Sequence, residues 1–531
     1  MDVTLRRGDI AARPAGALAL GILEGGGALT GAAAAVDRAT RGAVRAVLKA
    51  RDFRGRFLET AVLYPRGLKA RRLILVGLGP RALLDARRAR LAAAQAARRA
   101  RELGVGTLVT VAHGAGRGGL DPARAAQAVA EGSVLGHYRF SAYRRDPGPP
   151  PLQRVEVIER DAQAAARLEP AVARGARWAE AACLARDLAN TPGQDLTPEG
   201  LAARAREIGR QAGARVEALG VPQLERLGAG ALLAVGRGSV HPPRLITLDR
   251  PTAGAPKPAR PATQRTRSAP PAATPGTVVV IGKGVTFDTG GISLKPRENM
   301  HEMKYDMSGA AAVLGLFSAL PTLAPPFRVV GIIPTAENMP GGRAFKPGDV
   351  VRAMDGTTIE VTNTDAEGRL LLADALGYAR RYAPAAVVDL ATLTGAITLA
   401  LGNLAAGLFT GDEALAAELT AAAEASGERI WRMPLWDDYA PEMRSDLADL
   451  LNSGAREGGA CLAAIFLKQF ARDLPWAHLD IASTAWTNVE RPHEPRGATG
   501  YGVRLLLEWL SRRAWASVES SAAAGAPASG A

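Results

Sequence analysis

Short apolar runs recur along the chain, each separated from the next by an alanine-rich, charge-bearing stretch of helical length. This alternation limits the fold more than any other feature. Leu73-Ile-Leu-Val76, Thr107-Leu-Val-Thr-Val111 and Val278-Val-Val-Ile281 carry apolar side chains at successive positions, so both faces of each strand must be covered. Between the first two, LLDARRARLAAAQAARRARELG has the alanine content and the basic face of an amphipathic helix that stops at Gly104. Strands covered on both faces by intervening helices predict an α/β fold with a mostly parallel sheet. A chain of 531 residues exceeds what one core usually serves, so two such units are expected.

The boundaries follow from composition. Residues 1–165 read as an N-terminal α/β unit, 166–190 as a connecting helix, and 191–513 as a second α/β unit. The second unit is interrupted at 251–276 by PTAGAPKPARPATQRTRSAPPAATPG, which has almost nothing to bury and reads as a flexible surface insertion. Residues 514–531 read as a disordered tail by the same argument.

The net charge of +14 is unevenly distributed: residues 1–180 hold 31 basic and 16 acidic side chains, so the second unit is close to neutral. Aromatic residues are sparse in the basic half and no DNA-reading motif occurs there, which argues against specific nucleic-acid recognition. Salt-sensitive, sequence-independent binding is the alternative that this charge leaves open. The two cysteines, Cys183 and Cys461, are far apart, which excludes a disulfide framework or thiolate zinc site and suits a reducing compartment. No uninterrupted apolar stretch reaches the length needed to cross a bilayer, and charges break the N-terminal apolar run, so a cytoplasmic location without membrane partners is expected. Gly114-x-Gly116-x-x-Gly119 matches a dinucleotide fingerprint in form, but no acidic ribose ligand follows it in a βαβ frame. It reads as a strand-to-helix turn.

The chemistry lies further on. VVVIGKGVTFDTGGISLKP is a buried strand running into a glycine-rich loop that presents Lys283, Asp288 and Lys295. MHEMKYDMSGAAAVLG sets Asp306 just ahead of a helix of small residues, and a strand-like TTIEVTNTDAEGRLLLADAL delivers Asp365, Glu367 and Arg369 to a strand end before another helix. In open α/β sheets, ligand sites gather where strand C-termini meet such loops. Four carboxylates brought together repel unless cations lie among them, and a pair of divalent ions meets that need. With no histidine or cysteine nearby, the donor set favours manganese or magnesium, and zinc also fits. A lysine can ligate only as the neutral amine.

These stretches, NTDAEGRL with GKGVTFDTGG-x-SLKP and MKYDMSGAA, closely resemble the leucyl aminopeptidase family, the M17 peptidases. The resemblance extends through RDLANTPGQDLTP (186–198), ENMPGGRAFKPGDV (337–350), DLATLTGA (389–396), WAHLDIASTAW (476–486) and GATGYGVRLLL (497–507). It is weaker in the N-terminal half, chiefly at LILVGLG and EGSVLGHYRFSAY.

The resemblance implies a macro-domain-like N-terminal domain, a catalytic domain built on a mostly parallel central sheet, and a homohexamer. It further implies that Asp288 and Glu367 bridge two metal ions, that Lys283 and Asp306 complete the tighter site, and that Asp365 completes the more exchangeable one. Lys295 would polarise the scissile carbonyl, and Arg369 would hold a bicarbonate ion acting as general base. Asp306 would also receive the α-amine of a peptide substrate. Met303, Thr392, Leu393 and Gly395 would line the side-chain pocket. The activity implied is removal of N-terminal leucine and other, mainly apolar, residues. Every metal and catalytic position of the family pattern is filled, which argues against an idle scaffold.

Overall fold

The computed structural model describes residues 1–25, 28–146, 148, 150–252 and 276–524, with side-chain surroundings given through residue 516. The chain divides into two compact units: Met1–Cys183 with Thr487–Gly497, and Leu184–Trp486 with the residues from Ala498 onward. The boundary falls inside one long helix, Ala162–Asn190, which starts four residues before the connecting helix expected at 166.

The first unit is built on a six-stranded sheet of β1 (Asp2–Arg7), β2 (Ala17–Leu23), β3 (Thr60–Leu63), β4 (Leu73–Gly79), β5 (Thr107–Thr110) and β6 (Arg154–Glu159). The order is β1-β6-β5-β2-β4-β3, and only the edge pair β3–β4 is antiparallel. Every residue of β4 is buried, as its unbroken apolar run requires. The helices Ala86–Glu102 and Pro122–His137 pack closely because Gly132 and Gly136 face the neighbouring backbone; a Cβ there would lie 2.1 Å from the Arg90 carbonyl and 2.3 Å from that of Ala94. The first of these helices is less uniformly basic on its outside than its sequence suggests. Arg90 is buried and its Nε meets Glu131 Oε2 at 2.5 Å, so one arginine serves the interior.

The second unit carries a nine-stranded sheet. In chain order its strands are β7 (Arg215–Leu219), β8 (Arg244–Arg250), β9 (Val278–Gly282), β10 (Gly284–Asp288) and β11 (Val329–Asn338). β12 (Val350–Arg352) and β13 (Thr358–Glu360) belong instead to a small separate sheet. The large sheet resumes with β14 (Ala386–Ala391), β15 (Ala406–Phe409) and β16 (Ile430–Arg432). β17 (Leu450–Leu451) completes the small sheet, and β18 (Trp476–Asp480) completes the large one. The order is β16-β15-β18-β14-β9-β11-β8-β7, with β10 beside the far end of β11. The central pairs β18–β14, β14–β9 and β9–β11 are all parallel.

β9 and β10 run along β11 in the same register, Ile281 opposite Ile332 and Gly284 opposite Thr335, so Lys283 interrupts what is otherwise one strand. Its N–H donates to the Leu390 carbonyl of β14 at 3.0 Å, and its carbonyl accepts from Ala310 N at 2.8 Å. That second bond presses the helix Ser308–Leu323 onto the sheet. The approach needs glycine at 309, where a Cβ would lie 2.1 Å from the Leu390 carbonyl oxygen.

One expectation needs correction. The stretch expected to be a disordered tail from 514 instead continues the helix Val503–Ala524. Leu505, Leu506, Leu507, Trp509 and Leu510 anchor its first turns in the core, and the alanines that follow favour propagation. Residues 525–531, and 253–275 of the expected insertion, lie outside the described residues. One helical run, Met300–Leu323, is long and apolar enough to span a bilayer by length and composition, but it is not an uninterrupted apolar stretch, since Glu302, Lys304 and Asp306 lie in its first turns. Most of it is buried against the sheet, as befits a core helix.

Candidate metal centre

The predicted ligands converge at the C-terminal edge of the parallel strands of the second unit. Asp288 ends β10; Asp306 lies on the short 3-10 segment Met300–Met307; Asp365 and Glu367 lie on the loop leading into the helix Gly368–Ala379. Oxygens of Asp288, Asp365 and Glu367 lie within 4.8 Å of one another. Lys283 Nζ sits 2.8 Å from Asp306 Oδ1 and 2.7 Å from Glu367 Oε1, and it donates to the Thr392 carbonyl at 2.9 Å. Lys295 Nζ pairs with Asp288 Oδ2 at 2.8 Å and also with Asp365 Oδ1. The structure therefore brings together all five predicted metal-binding residues and Lys295. Arg369, on the first turn of the helix that follows, is buried; its Nη1 donates to the Asn452 carbonyl at 2.9 Å, and its Nε has no partner among the described residues.

The electrostatics follow from burial. Burial raises the Asp306 carboxyl well above the usual range against the opposing charge of Lys283, and burial together with Glu367 raises Asp288. Asp365 is pushed up to about 7 by burial and the Asp288 charge. Burial would raise Glu367 too, but Lys283 and Lys295 outweigh it and hold this carboxyl below its ordinary value. Burial works against the ammonium of Lys283, yet Asp306, Glu367 and Asp288 outweigh it and hold it above the usual lysine range. Burial brings the Arg369 guanidinium down to about 10.

The donors fit a divalent cation pair. Four carboxylates face two lysines, and Asp306 Oδ2 is buried with no hydrogen-bond partner among the described residues, so the oxygens are short of positive charge. Closely spaced carboxylate oxygens suit hard or borderline divalent ions.

The four predicted pocket residues are more dispersed. Thr392 bonds directly to the cluster, its Oγ1 donating to Asp306 Oδ1 at 2.7 Å. Leu393 is half-buried beside it, Gly395 is exposed at the start of the helix Gly395–Leu401, and Met303 is half-buried on the 3-10 segment that carries Asp306.

Supporting residues had no role in the sequence reading. Asn338, the last residue of β11, donates from Nδ2 to Asp288 Oδ1 at 2.8 Å and to the Thr364 carbonyl at 3.0 Å. Thr364 Oγ1 in turn bonds the Gly290 carbonyl at 2.5 Å, tying the two loops together. Position at a strand C-terminus was the available signal for Asn338, and equally for Asp480 at the end of β18.

Carboxylates and lysines, most of them buried, gathered at the C-terminal edge of a parallel sheet, short of cations and flanked by a buried arginine, fit the class of metal-dependent hydrolases. Comparison with known proteins narrows this class. The catalytic-domain profile of the cytosol aminopeptidase family matches residues 183–507, and its N-terminal-domain profile matches 19–147. A probable cytosol aminopeptidase of Roseiflexus castenholzii is 48% identical over 463 residues, covering 86% of this chain and 91% of the relative. One from Geobacter sulfurreducens is 42% identical over 96% of this chain and 99% of its own. Among solved structures, the bottromycin maturation enzyme BotP in complex with Mn superposes with a TM-score of 0.81 at 40% identity, covering 94% of this chain and 99% of that one. A tomato leucine aminopeptidase mutant gives 0.81 at 32% identity over 96% of each chain. The chain belongs to the cytosol aminopeptidase family. It is a metal-dependent aminopeptidase, with the two-domain α/β architecture of that family.

Proposed function

We propose that this enzyme releases N-terminal leucine and other, mainly apolar, residues from peptides, using two divalent ions. The observation that carries the reading is the Asp288–Asp365–Glu367 group, with Asp365 half-buried and the other two buried, and with oxygens within 4.8 Å of one another. Asp288 and Glu367 would be shared by both ions, Lys283 and Asp306 would hold one, and Asp365 the other. The carboxylates alone suit manganese or magnesium, and a lysine nitrogen among the donors moves the preference to manganese or zinc, with magnesium possible; the Mn complex of BotP supports manganese. When bound, such a pair supplies an activated water and a polarised carbonyl.

The remaining work falls to side chains of the chain itself. The Lys295 side chain is 21% exposed, whereas that of Lys283 is 3% exposed, so Lys295 is the ammonium a substrate can reach. It would hold the carbonyl oxygen as negative charge develops there. Arg369, fixed by Asn452 through one arm, keeps its Nε for an anion; it would hold a bicarbonate ion, which would supply a general base. Asp306 Oδ2 would receive the free α-amine of the substrate, which restricts cleavage to the first residue. Thr392, Leu393, Gly395 and Met303 would face the first side chain. We further propose a cytoplasmic homohexamer, in keeping with the names of the relatives for location.

The test is hydrolysis of leucine p-nitroanilide and of Leu-Gly-Gly with added manganese, each against a chelator control and an N-acetylated counterpart. Metal-dependent release from free N-termini alone is expected. Endoproteolysis, or equal cleavage of blocked peptides, would refute the exopeptidase assignment. Sedimentation velocity tests the hexamer.

A further inference from the structure

Thr392 touches the centre twice, and both contacts depend on where the backbone of residues 392–394 lies. Its carbonyl accepts from Lys283 Nζ at 2.9 Å, and its hydroxyl donates to Asp306 Oδ1 at 2.7 Å. A shift of this turn therefore moves Lys283 and Asp306 together.

One side chain from the neighbouring strand fixes the turn. Asp480, at the C-terminus of β18, is 1% exposed. Its Oδ1 accepts from Leu393 N at 3.2 Å, Thr394 N at 3.5 Å and Ala482 N at 3.2 Å, while its Oδ2 accepts from Thr394 Oγ1 at 2.6 Å. That same hydroxyl accepts from Ile397 N at 3.2 Å, capping the helix Gly395–Leu401.

Beneath Asp480 lies a second buried pair. Asp389 and His478 are opposite each other across β14 and β18, and His478 Nδ1 meets Asp389 Oδ1 at 2.5 Å. Asp389 Oδ2 accepts from Trp476 Nε1 at 2.6 Å, so both its oxygens are engaged. His478 Nε2 is buried with no partner among the described residues. Burial disfavours charge on His478, but Asp389 outweighs it and holds the ring above the usual histidine range; burial in turn raises the Asp480 carboxyl, against the opposing effect of His478 and of the hydrogen bonds from Thr394, Ala482 and Leu393. Four charged or chargeable groups buried side by side, Asp389, His478, Asp480 and Arg369, gain less stability than apolar side chains of similar volume generally would. Their arrangement calls for a role beyond packing.

We propose that Asp480, supported by the Asp389–His478 pair, is a positioning residue that locks the 392–394 turn and thereby sets the Lys283–Asp306 half of the metal centre. The inference rests on the two-metal reading given above. Residues that orient ligands without touching the ion commonly govern metal affinity by about 10- to 100-fold.

The test is a manganese titration of chelator-stripped full-length enzyme, with bound metal read by electron paramagnetic resonance, on wild type, Asp480→Asn and Thr392→Val. Asp480→Asn keeps the shape but loses the charge and one acceptor; Thr392→Val removes only the hydroxyl. Both are expected to weaken one of the two manganese sites by about 10- to 100-fold and leave the other within about twofold. The double variant should lose less than the product of the two single losses, because both act through one turn. If Asp480→Asn fails to fold, Thr394→Val, which removes the hydroxyl that Asp480 Oδ2 holds without touching Lys283 or Asp306, decides in its place by the same titration. Folded variants that bind both ions as wild type does would overturn the positioning role. Wild type that binds fewer than two ions would instead overturn the two-metal reading, and this inference with it.

Discussion

Gly368 is the position where the smallest change should do the most damage. A methyl group there would lie 2.6 Å from Lys283 Nζ, 2.7 Å from its Cε and 2.9 Å from its Cδ. Ordinary contact begins near 3.4 Å, so the lysine must retreat by roughly 1 Å. It has nowhere to go: the side chain is 3% exposed and is held at 2.8 Å by Asp306, 2.7 Å by Glu367 and 2.9 Å by the Thr392 carbonyl. Moving it by that distance breaks at least one ion pair. Leaving a buried charge without its partner costs about 3–5 kcal/mol, and replacing glycine by alanine in a helix returns at most about 1 kcal/mol. Gly368→Ala should therefore destabilise the metal-free enzyme by about 2–4 kcal/mol and weaken manganese binding as well. Urea unfolding of stripped protein, followed by far-ultraviolet circular dichroism, measures the first effect, and a manganese titration the second. A variant with wild-type stability and wild-type affinity would show that Lys283 is free to move, and the reasoning would fail.

Other substitutions should leave different signatures. Lys295→Ala should retain metal and lose about 100- to 1000-fold in kcat, because it removes one preorganised charge from the substrate side; unchanged kcat in a metal-replete variant would exclude this role. Asp374 is fully buried and accepts from Leu232 N at 2.8 Å and Met354 N at 2.7 Å, so Asp374→Ala should cost about 2–5 kcal/mol by stranding both amides. Denaturant unfolding checks this, and Asp374→Asn, which keeps one acceptor, should cost less. In the metal-free protein, Asp365, raised to about 7, is protonated below neutral pH, and its raised value contributes stability that is present in acid and lost as pH climbs through 7. Manganese uptake must displace that proton, so calorimetry in buffers of different ionisation heat should find about one more proton released at pH 6 than at pH 8. Equal release at both would count against this assignment.

The sequence by itself determined the central strands, the α/β class and which residues converge on the centre. β2, β4 and β9 form where apolar residues run unbroken, because such runs have no exposed face to offer and must become central strands. Asp288 was legible as an acidic residue in a glycine-rich loop at a strand end, and Asp306, Asp365 and Glu367 through the distinctive wording around them. Asp365 and Glu367, expected at a strand end, instead lie on a loop beyond β13, which stops at Glu360 in the small sheet. Where local composition was the only guide, the reading was weaker. Residues 514–524 read as a tail but form helix, since the buried leucines ahead of them nucleate a turn that alanine then extends. Arg90 read as part of a solvated basic face but lies inside, because its partner Glu131 is on a different helix, 41 residues away. The supports of the centre were likewise invisible. Asn338, Asp480 and the Asp389–His478 pair come from β11, β14 and β18; β14 and β18 are adjacent and β11 lies one strand further, beyond β9, only because the sheet order places them so. Bonds between residues on different strands leave no periodicity in the chain. A sequence can name the groups that bind, while register and crossover decide which groups hold them in place.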